Sequence, residues 1–299
     1  MPTSSAPLTR LRYFTERESY LSWLGDPKLR AARRRAEQTV IEQLDAKQSV
    51  SQYCYAHGGI ASLLDDPSAR HPHFYNWREA GACGQCHAIS RIRLVAEYFH
   101  RAANNCIDPT IYLTEQLTLL YKLMRGQFPN LVGSEYVLAE PERTLASLRL
   151  KLYMGDPTVA LRHEDGCALT FADESLDMIG SFDVLEHIPD YKMAIAEFAR
   201  TLRSGGQLVF SAPFLPASAN TLIRARLTTN EASPIEHLEP AEFHGNPTDP
   251  DGGVLCYYHF GWDLLEQMRG AGFCAVALVD AWSAETAIYG DQQFIVATK

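Results

Sequence analysis

Residues Asp165 to Phe214 read DGCALTFADESLDMIGSFDVLEHIPDYKMAIAEFARTLRSGGQLVFSAPF, and the fold is decided there. An acid, Asp165, is expected to end a strand. The polar turn Ala172–Ser175 then leads to a buried apolar strand, Met178–Phe182, that ends in Asp183. Leu185–Glu186–His187 follow, and after them a helical pattern over Met193–Leu202. That pattern stops at Ser204–Gly205–Gly206, read as a glycine-rich helix C-cap, and the apolar run Gln207–Ala212 begins at once. In open α/β sheets, ligands sit beyond the carboxyl ends of the strands, where Asp165, Asp183 and His187 would gather.

The same rhythm extends in both directions. Short apolar runs at Ile111–Thr114, Leu131–Ser134, Ala275–Asp280 and Gln293–Ala297 predict further strands, with helices at Leu117–Arg125 and Trp262–Ala271. Residues 101–299 are therefore expected to form an α/β domain with a doubly wound, mostly parallel sheet. Ahead of it, residues 1–50 read as a helical segment, with apolar positions at Leu29, Ala32, Ala36, Val40, Ile41 and Leu44 and a start signal at Asp26–Pro27. Residues 51–100 hold the densest Cys and His, turn formers at Gly58–Gly59, Pro67, Pro72 and Gly84, and a linking helix over Ala88–His100.

Over residues 107–299 the chain resembles the class I S-adenosylmethionine-dependent methyltransferases. The resemblance is carried by Asp165 with Leu169–Thr170–Phe171, by the run Asp183 to Asp190 (DVLEHIPD), by Gly205–Gly206 and by the ending FGWDLLEQMRGAGF. It implies a seven-stranded Rossmann-like sheet and a cofactor pocket that includes Asp165, Gly166, Asp183, Leu185 and His187. One departure stands out: the stretch after the first strand, IYLTEQLTLLYKLM, contains no glycine. Glu115 lies twenty residues before Glu135, the spacing expected for a first-strand acid and a ribose-binding acid. Glu115 and Gln116 are expected to replace bare backbone with side chains, unless Glu115 only meets a helix dipole and Glu135 is a solvated loop acid.

Cys54-Tyr-Ala-His57 and Cys83-Gly-Gln-Cys86 offer four soft or borderline ligands in two tight turns, which suits a structural, tetrahedral zinc. His71, His73 and His87 lie nearby, so the fourth ligand stays open between them and His57. Asn76–Trp77–Arg78–Glu79, just before the second pair, is a candidate for joining this module to the main domain.

A long connection over residues 213–260 is expected to roof the substrate pocket, as it commonly does in the family the chain resembles. It contains His237, Glu239, His244, His259, Asp249 and Asp251. A histidine poised near neutrality can take a proton from an oxygen or nitrogen nucleophile, which makes His244 or His237 the candidate general base. Turn capping and a second metal site are the alternatives for these groups, and His187 is expected to line the cofactor pocket wall.

A net charge of −9, with 46% hydrophobic and 21% charged residues, argues for a globular chain and against phosphate-backbone binding, so no nucleic-acid partner is expected. The basic run Lys28–Arg35 is read as a solvated helix face. The start MPTSSAPLTRLRYF lacks a signal-like apolar core, no run reaches the roughly 18 apolar residues of a membrane helix, and seven cysteines suit a reducing compartment. A cytoplasmic location follows as the expectation, and a homodimer stays open. The leading functional expectation is methyl transfer from S-adenosylmethionine to an O or N atom of a small metabolite or natural-product scaffold. Aminocarboxypropyl transfer or cyclisation from the same cofactor is the second, and a non-catalytic binding protein on the same fold is the third.

Overall fold

The computed structural model describes residues 6–71, 74–103, 106–137, 139–230, 234–246 and 252–299. Pro72, His73, Asp249 and Asp251 lie outside the described residues.

Among the described residues the first element is a strand, β1 (Arg10–Phe14), and not a helix. Two helices follow, α1 (Arg17–Leu24) and α2 (Pro27–Asp45). Asp26 caps α2 by accepting from Lys28 N and Leu29 N, with Pro27 in the first turn, so the start signal works as expected. Strands β2 (Ser51–Cys54), β3 (Gly59–Leu64) and β4 (Ala82–Cys83) make a small antiparallel sheet that carries the Cys/His pairs. Helix α3 (Ser90–Ala103) then leads into the main domain.

That domain alternates β5 (Ile111–Leu113), α4 (Leu119–Arg125), β6 (Leu131–Gly133), α5 (Glu142–Met154), β7 (Leu176–Phe182), α6 (Tyr191–Thr201) and β8 (Leu202–Ser211). Short strands β9 (Leu222–Ile223), β10 (Ala225–Leu227), β11 (Ile235–His237), β12 (Phe243–His244), β13 (Val254–Leu255) and β14 (Tyr258–His259) fold the long connection into three two-stranded ribbons. Helix α7 (Asp263–Gly270) and the hairpin β15 (Ala275–Ser283) and β16 (Ile288–Thr298) close the chain.

Seven strands form one sheet in the order β1-β15-β16-β8-β7-β5-β6. The β6, β5, β7 and β8 ladders are parallel, and β16, β15 and β1 add antiparallel pairings. Side chains alternate between two cores, as a period of two requires. Leu208 and Phe210 of β8 face α6 and α7, while Val209 faces α3 and α4. Ile295 and Ala297 of β16 pack on the first side, and Phe294 and Val296 on the second.

Three local expectations are corrected. The first fifty residues supply the edge strand β1, paired to β15 from Arg10↔Trp282 to Phe14↔Leu278. The Gly205–Gly206 turn is no helix cap: α6 ends at Thr201 with Leu202 already extended, and Gly205 (φ 78) lies where the β7–β8 register slips between Leu176↔Leu202 and Met178↔Gln207. No regular strand precedes Asp165; an isolated parallel bridge, Glu135↔His163, holds that segment beside β6.

The Cys/His module is tied to the sheet by a buried cation and an aromatic contact. Arg93 of α3 is 2% exposed and donates to Gln52 Oε1 (2.7 Å), Thr286 O (2.8 Å) and Ala287 O (2.6 Å). Trp77 packs on the Tyr289 ring at 4.8 Å and against Gly290, whose φ of 71 and closeness to Trp77 both favour glycine.

Candidate active site

Beyond the carboxyl ends of β5, β6 and β7 lies a cavity of about 620 Å³. Glu115, Glu135, Asp165, Gly166, Asp183 and His187 line it, together with Tyr112, Ser134, Tyr136 and Arg91. Strand order brings these residues together. β5 and β6 are neighbours, β7 flanks β5 on its other side, and each acid follows the last residues of its strand or bridge.

The glycine-free loop after β5 is held by a carboxylate. Glu135 Oε1 accepts from Gln116 N and Leu117 N, each at 2.7 Å, and Thr118 then caps α4 through Tyr121 N. Burial pushes the Glu135 carboxyl up, and these two amide donors oppose it. The close approach is made on the neighbouring strand: a Cβ on Gly133 would stand 2.5 Å from Glu115 O and 2.5 Å from Tyr121 Cε2. Gln116 turns away from the cavity. Its side chain accepts from Arg162 N (2.8 Å) and donates to Ala160 O (3.3 Å), so it braces the loop.

Glu115 is different. It is 9% exposed, and its Oε1 is buried without a hydrogen bond. Burial pushes its carboxyl up to about 7; Glu135 and Asp183 add to this, while Thr118 and Arg91 pull the other way. An orphaned buried carboxylate oxygen at the mouth of β5 suits a cationic ligand group, such as the ammonium of S-adenosylmethionine. Asp165 accepts from Cys167 N at 2.8 Å, which fixes its turn, and a Cβ on Gly166 would sit 3.0 Å from Ile188 Cδ1. Leu185 is 1% exposed and belongs to the core beneath the site.

Asp183 stands between this cavity and a second one of about 600 Å³. Its backbone is left-handed (φ 54), a conformation that Asp tolerates better than most residues. Arg78 Nη2 reaches both of its oxygens (2.8 and 2.6 Å), Arg91 Nη1 reaches Oδ2 (3.2 Å), and Ser211 Oγ donates to Oδ1 (2.9 Å). Burial alone would raise the Asp183 carboxyl, but Arg78 and Arg91 outweigh it and hold it below the usual range. Arg78 thus carries the Cys/His module into the site, together with Glu79, which pairs with both arginines.

The second cavity is lined by Arg78, Arg91, Asp183, Glu186, Ser211 and His244, among others. His244 Nδ1 lies 3.4 Å from Glu186 Oε1, and its Nε2 lies 2.9 Å from Glu242 Oε1. Pairing with Glu186 raises the His244 imidazole to about 9, against the effect of burial, with help from Glu242. Burial lowers His187, whose Nδ1 meets Leu255 O at 2.8 Å. His237 is exposed on β11 and lines neither cavity. Glu186 passes in the sequence as one residue of the DVLEHIPD run, and no motif marks Arg91 or Glu242. Only the folded chain shows what these three face.

Cys54, His57, Cys83 and Cys86 converge, their ligand atoms all lying within 4.8 Å of one another. Cys54 Sγ and Cys86 Sγ are 3.7 Å apart, and Cys83 Sγ is 3.4 Å from His57 Nδ1. A tetrahedron with Zn–S of about 2.3 Å has S···S edges of about 3.8 Å and S···N edges of about 3.5 Å. The donor set therefore fits zinc, with His57 in the fourth position; His71 instead stacks on Phe74.

Residues 125–210 match the family model described as a methyltransferase domain. A protein of Mycolicibacterium smegmatis, described as a probable S-adenosylmethionine-dependent methyltransferase, is 33% identical over 82 residues. Those residues are 27% of this chain and 29% of the relative, so the match spans under a third of that protein's length. Among solved structures, an amino pentose methyltransferase from Micromonospora echinaspora is 16% identical over 72% of this chain and 93% of its own, with a TM-score of 0.44. An S-adenosylmethionine-dependent methyltransferase from Mesorhizobium loti is 16% identical over 67% and 96%, with a TM-score of 0.39. The matched segment runs from the end of α4 to β8 and contains Glu135, Asp165, Asp183 and His187. The methyltransferase likeness is thus carried by residues 125–210, which the chain sets within its seven-stranded sheet.

Proposed function

We propose that the protein catalyses methyl transfer from S-adenosylmethionine to an O or N atom of a small metabolite or natural-product scaffold. The observation that carries this is the pair of adjoining cavities, which share Arg91, Asp183 and Gly245 as a common wall. One has acids where an adenosine and an ammonium would be held, and the other has room for a small acceptor. When bound, S-adenosylmethionine supplies an electrophilic methyl group on a sulfonium. Asp165 and Gly166 are assigned to the adenine end, Glu135 to the ribose, and Glu115 to the amino-acid end. Asp183, held by Arg78 and Arg91, fixes the boundary across which the two reactants meet, and positioning of this kind supplies much of the rate of a displacement.

His244 is the proposed general base. It lines the acceptor cavity with the Glu186 carboxylate behind Nδ1, and it must shed its own proton before accepting the acceptor's. The four Cys/His ligands are assigned to a structural zinc that presents Arg78 to Asp183. Among the described residues, no helix is long and apolar enough to cross a membrane.

Calorimetric titration with S-adenosylhomocysteine tests the first cavity. Micromolar or tighter binding that weakens at least tenfold in Asp165→Ala is expected, and an absence of binding at millimolar ligand would refute the assignment. Incubation with S-adenosylmethionine and pooled small-molecule acceptors should release S-adenosylhomocysteine. Methylthioadenosine as the product would move the chemistry to the aminocarboxypropyl arm.

A further inference from the structure

Glu186 is 0% exposed, yet neither of its carboxylate oxygens forms a hydrogen bond. Burying a carboxylate without hydrogen bonds costs several kcal/mol, so a carboxylate in this state calls for a cation, either a protonated His244 or a metal ion held between the rings of His187 and His244. The two groups that face it are imidazole nitrogens, His187 Nε2 at 3.6 Å and His244 Nδ1 at 3.4 Å.

The far nitrogen of each ring is already committed. His187 Nδ1 lies 2.8 Å from the carbonyl oxygen of Leu255, which can only accept, so Nδ1 carries the hydrogen and Nε2 presents its lone pair to Glu186. His244 Nε2 lies 2.9 Å from Glu242 Oε1 and donates to it, which leaves Nδ1 as the ring nitrogen turned to Glu186. Glu242 is itself fixed by His259 Nε2 (3.1 Å) and Arg224 Nη2 (3.1 Å). Imidazoles whose outer N–H is held by a carbonyl and by a carboxylate are the arrangement that orients metal-ligating histidines.

The ligand atoms of Glu186, His187 and His244 all lie within 4.8 Å of one another. Ligands about 2.1 Å from a tetrahedral ion stand about 3.4 Å apart, close to the two distances found. A neighbouring group, Glu242, Cys256 and His259, is equally compact but has no orphaned atom. Its carboxylate is taken up by His244, His259 and Arg224, and Cys256 Sγ donates to Tyr258 O.

We propose that Glu186, His187 and His244 form a second metal site, for a divalent transition-metal ion such as Zn²⁺. Two imidazoles and one carboxylate leave coordination positions open. Glu186 and His244 line the second cavity, so those positions face it and take an oxygen donor, a hydroxyl or carboxylate, from the molecule bound there. That last step rests on the acceptor-cavity assignment above; the metal site itself does not. With the ion in place, His244 Nδ1 is a ligand, and the ion takes over from it the task of acidifying the acceptor.

The test uses the full chain, stripped with chelator, reloaded with Co²⁺ under reducing conditions and compared with the metal content as purified. Two equivalents are expected: one with a thiolate-to-cobalt charge-transfer band from the Cys/His module, and one without. Glu186→Gln, an isosteric change that removes the buried charge, should lose the second equivalent and keep the charge-transfer band; His244→Ala should do the same. S-adenosylhomocysteine titration of the same samples reports independently on the cofactor cavity. A wild-type protein whose only cobalt is thiolate-bound would overturn the proposal, as would a second equivalent that survives both substitutions. Failure to bind S-adenosylhomocysteine with the second equivalent present would refute the methyltransferase assignment and leave the metal site standing.

Discussion

Glu115→Gln should make the protein more stable and a poorer binder of its cofactor, and both effects should grow with pH. The buried carboxyl titrates at about 7 in place of an ordinary 4.5. At about 1.4 kcal/mol per pH unit of displacement, the ionised side chain costs the fold about 3 kcal/mol at pH 8. The sign follows from where the proton is held. Below pH 4.5 the group is protonated in folded and unfolded chains alike and costs nothing. Between pH 4.5 and 7 the unfolded chain loses its proton first, so stability falls as pH rises, and above 7 the full cost is present. Glutamine carries no charge and escapes it.

Urea denaturation at pH 5 and pH 8 should therefore show little advantage for the variant at the lower pH and up to about 3 kcal/mol at the higher. Cofactor binding should move the opposite way. A charge-assisted hydrogen bond to the cofactor ammonium contributes about 1.5–3 kcal/mol, so S-adenosylhomocysteine should bind the variant roughly ten- to a hundredfold more weakly at pH 8. Wild-type affinity should drop as pH falls through 7. An unchanged affinity in Glu115→Gln, or a stability gain independent of pH, would refute the assignment of Glu115 to the amino-acid end.

Two further substitutions probe the frame around the site. Gly133→Ala places a methyl group 2.5 Å from Glu115 O and from the Tyr121 ring. Backbone and a packed aromatic must shift, at a cost of about 1–3 kcal/mol; a urea midpoint equal to wild type would refute a close approach at Gly133. Cys83→Ser should lose the zinc equivalent of the module and lower the melting temperature, because a metal that closes a loop this short on core contributes directly to folding. Undiminished zinc in that variant would remove the module assignment.

Much of the candidate site is legible in the sequence because its signals are local. The acids at Glu115, Glu135 and Asp183 each follow an apolar run short enough to be a buried strand, and alternation of strand and helix brings such ends to one edge of a parallel sheet; Asp165 reaches that edge through a single bridge beside β6. The Cys/His pairs were legible for the same reason, since each closes a turn within its own few residues. Charge and composition likewise needed no contact to be read.

What the chain could not show on its own depends on pairings far apart in sequence. RLRYF at 10–14 alternates too briefly to announce a strand, and becomes one because β15, some 270 residues later, offers it an open edge. Ser204–Gly206 looks like a helix stop, yet Gly205 serves the register slip between β7 and β8. Glu186 sits in a familiar run, but only the approach of Leu255, Glu242 and His244 from the long connection settles which imidazole nitrogens face it. Hydrogen-bond direction, tautomer and the desolvation of a charge are properties of surroundings, and those surroundings exist only once the chain has closed.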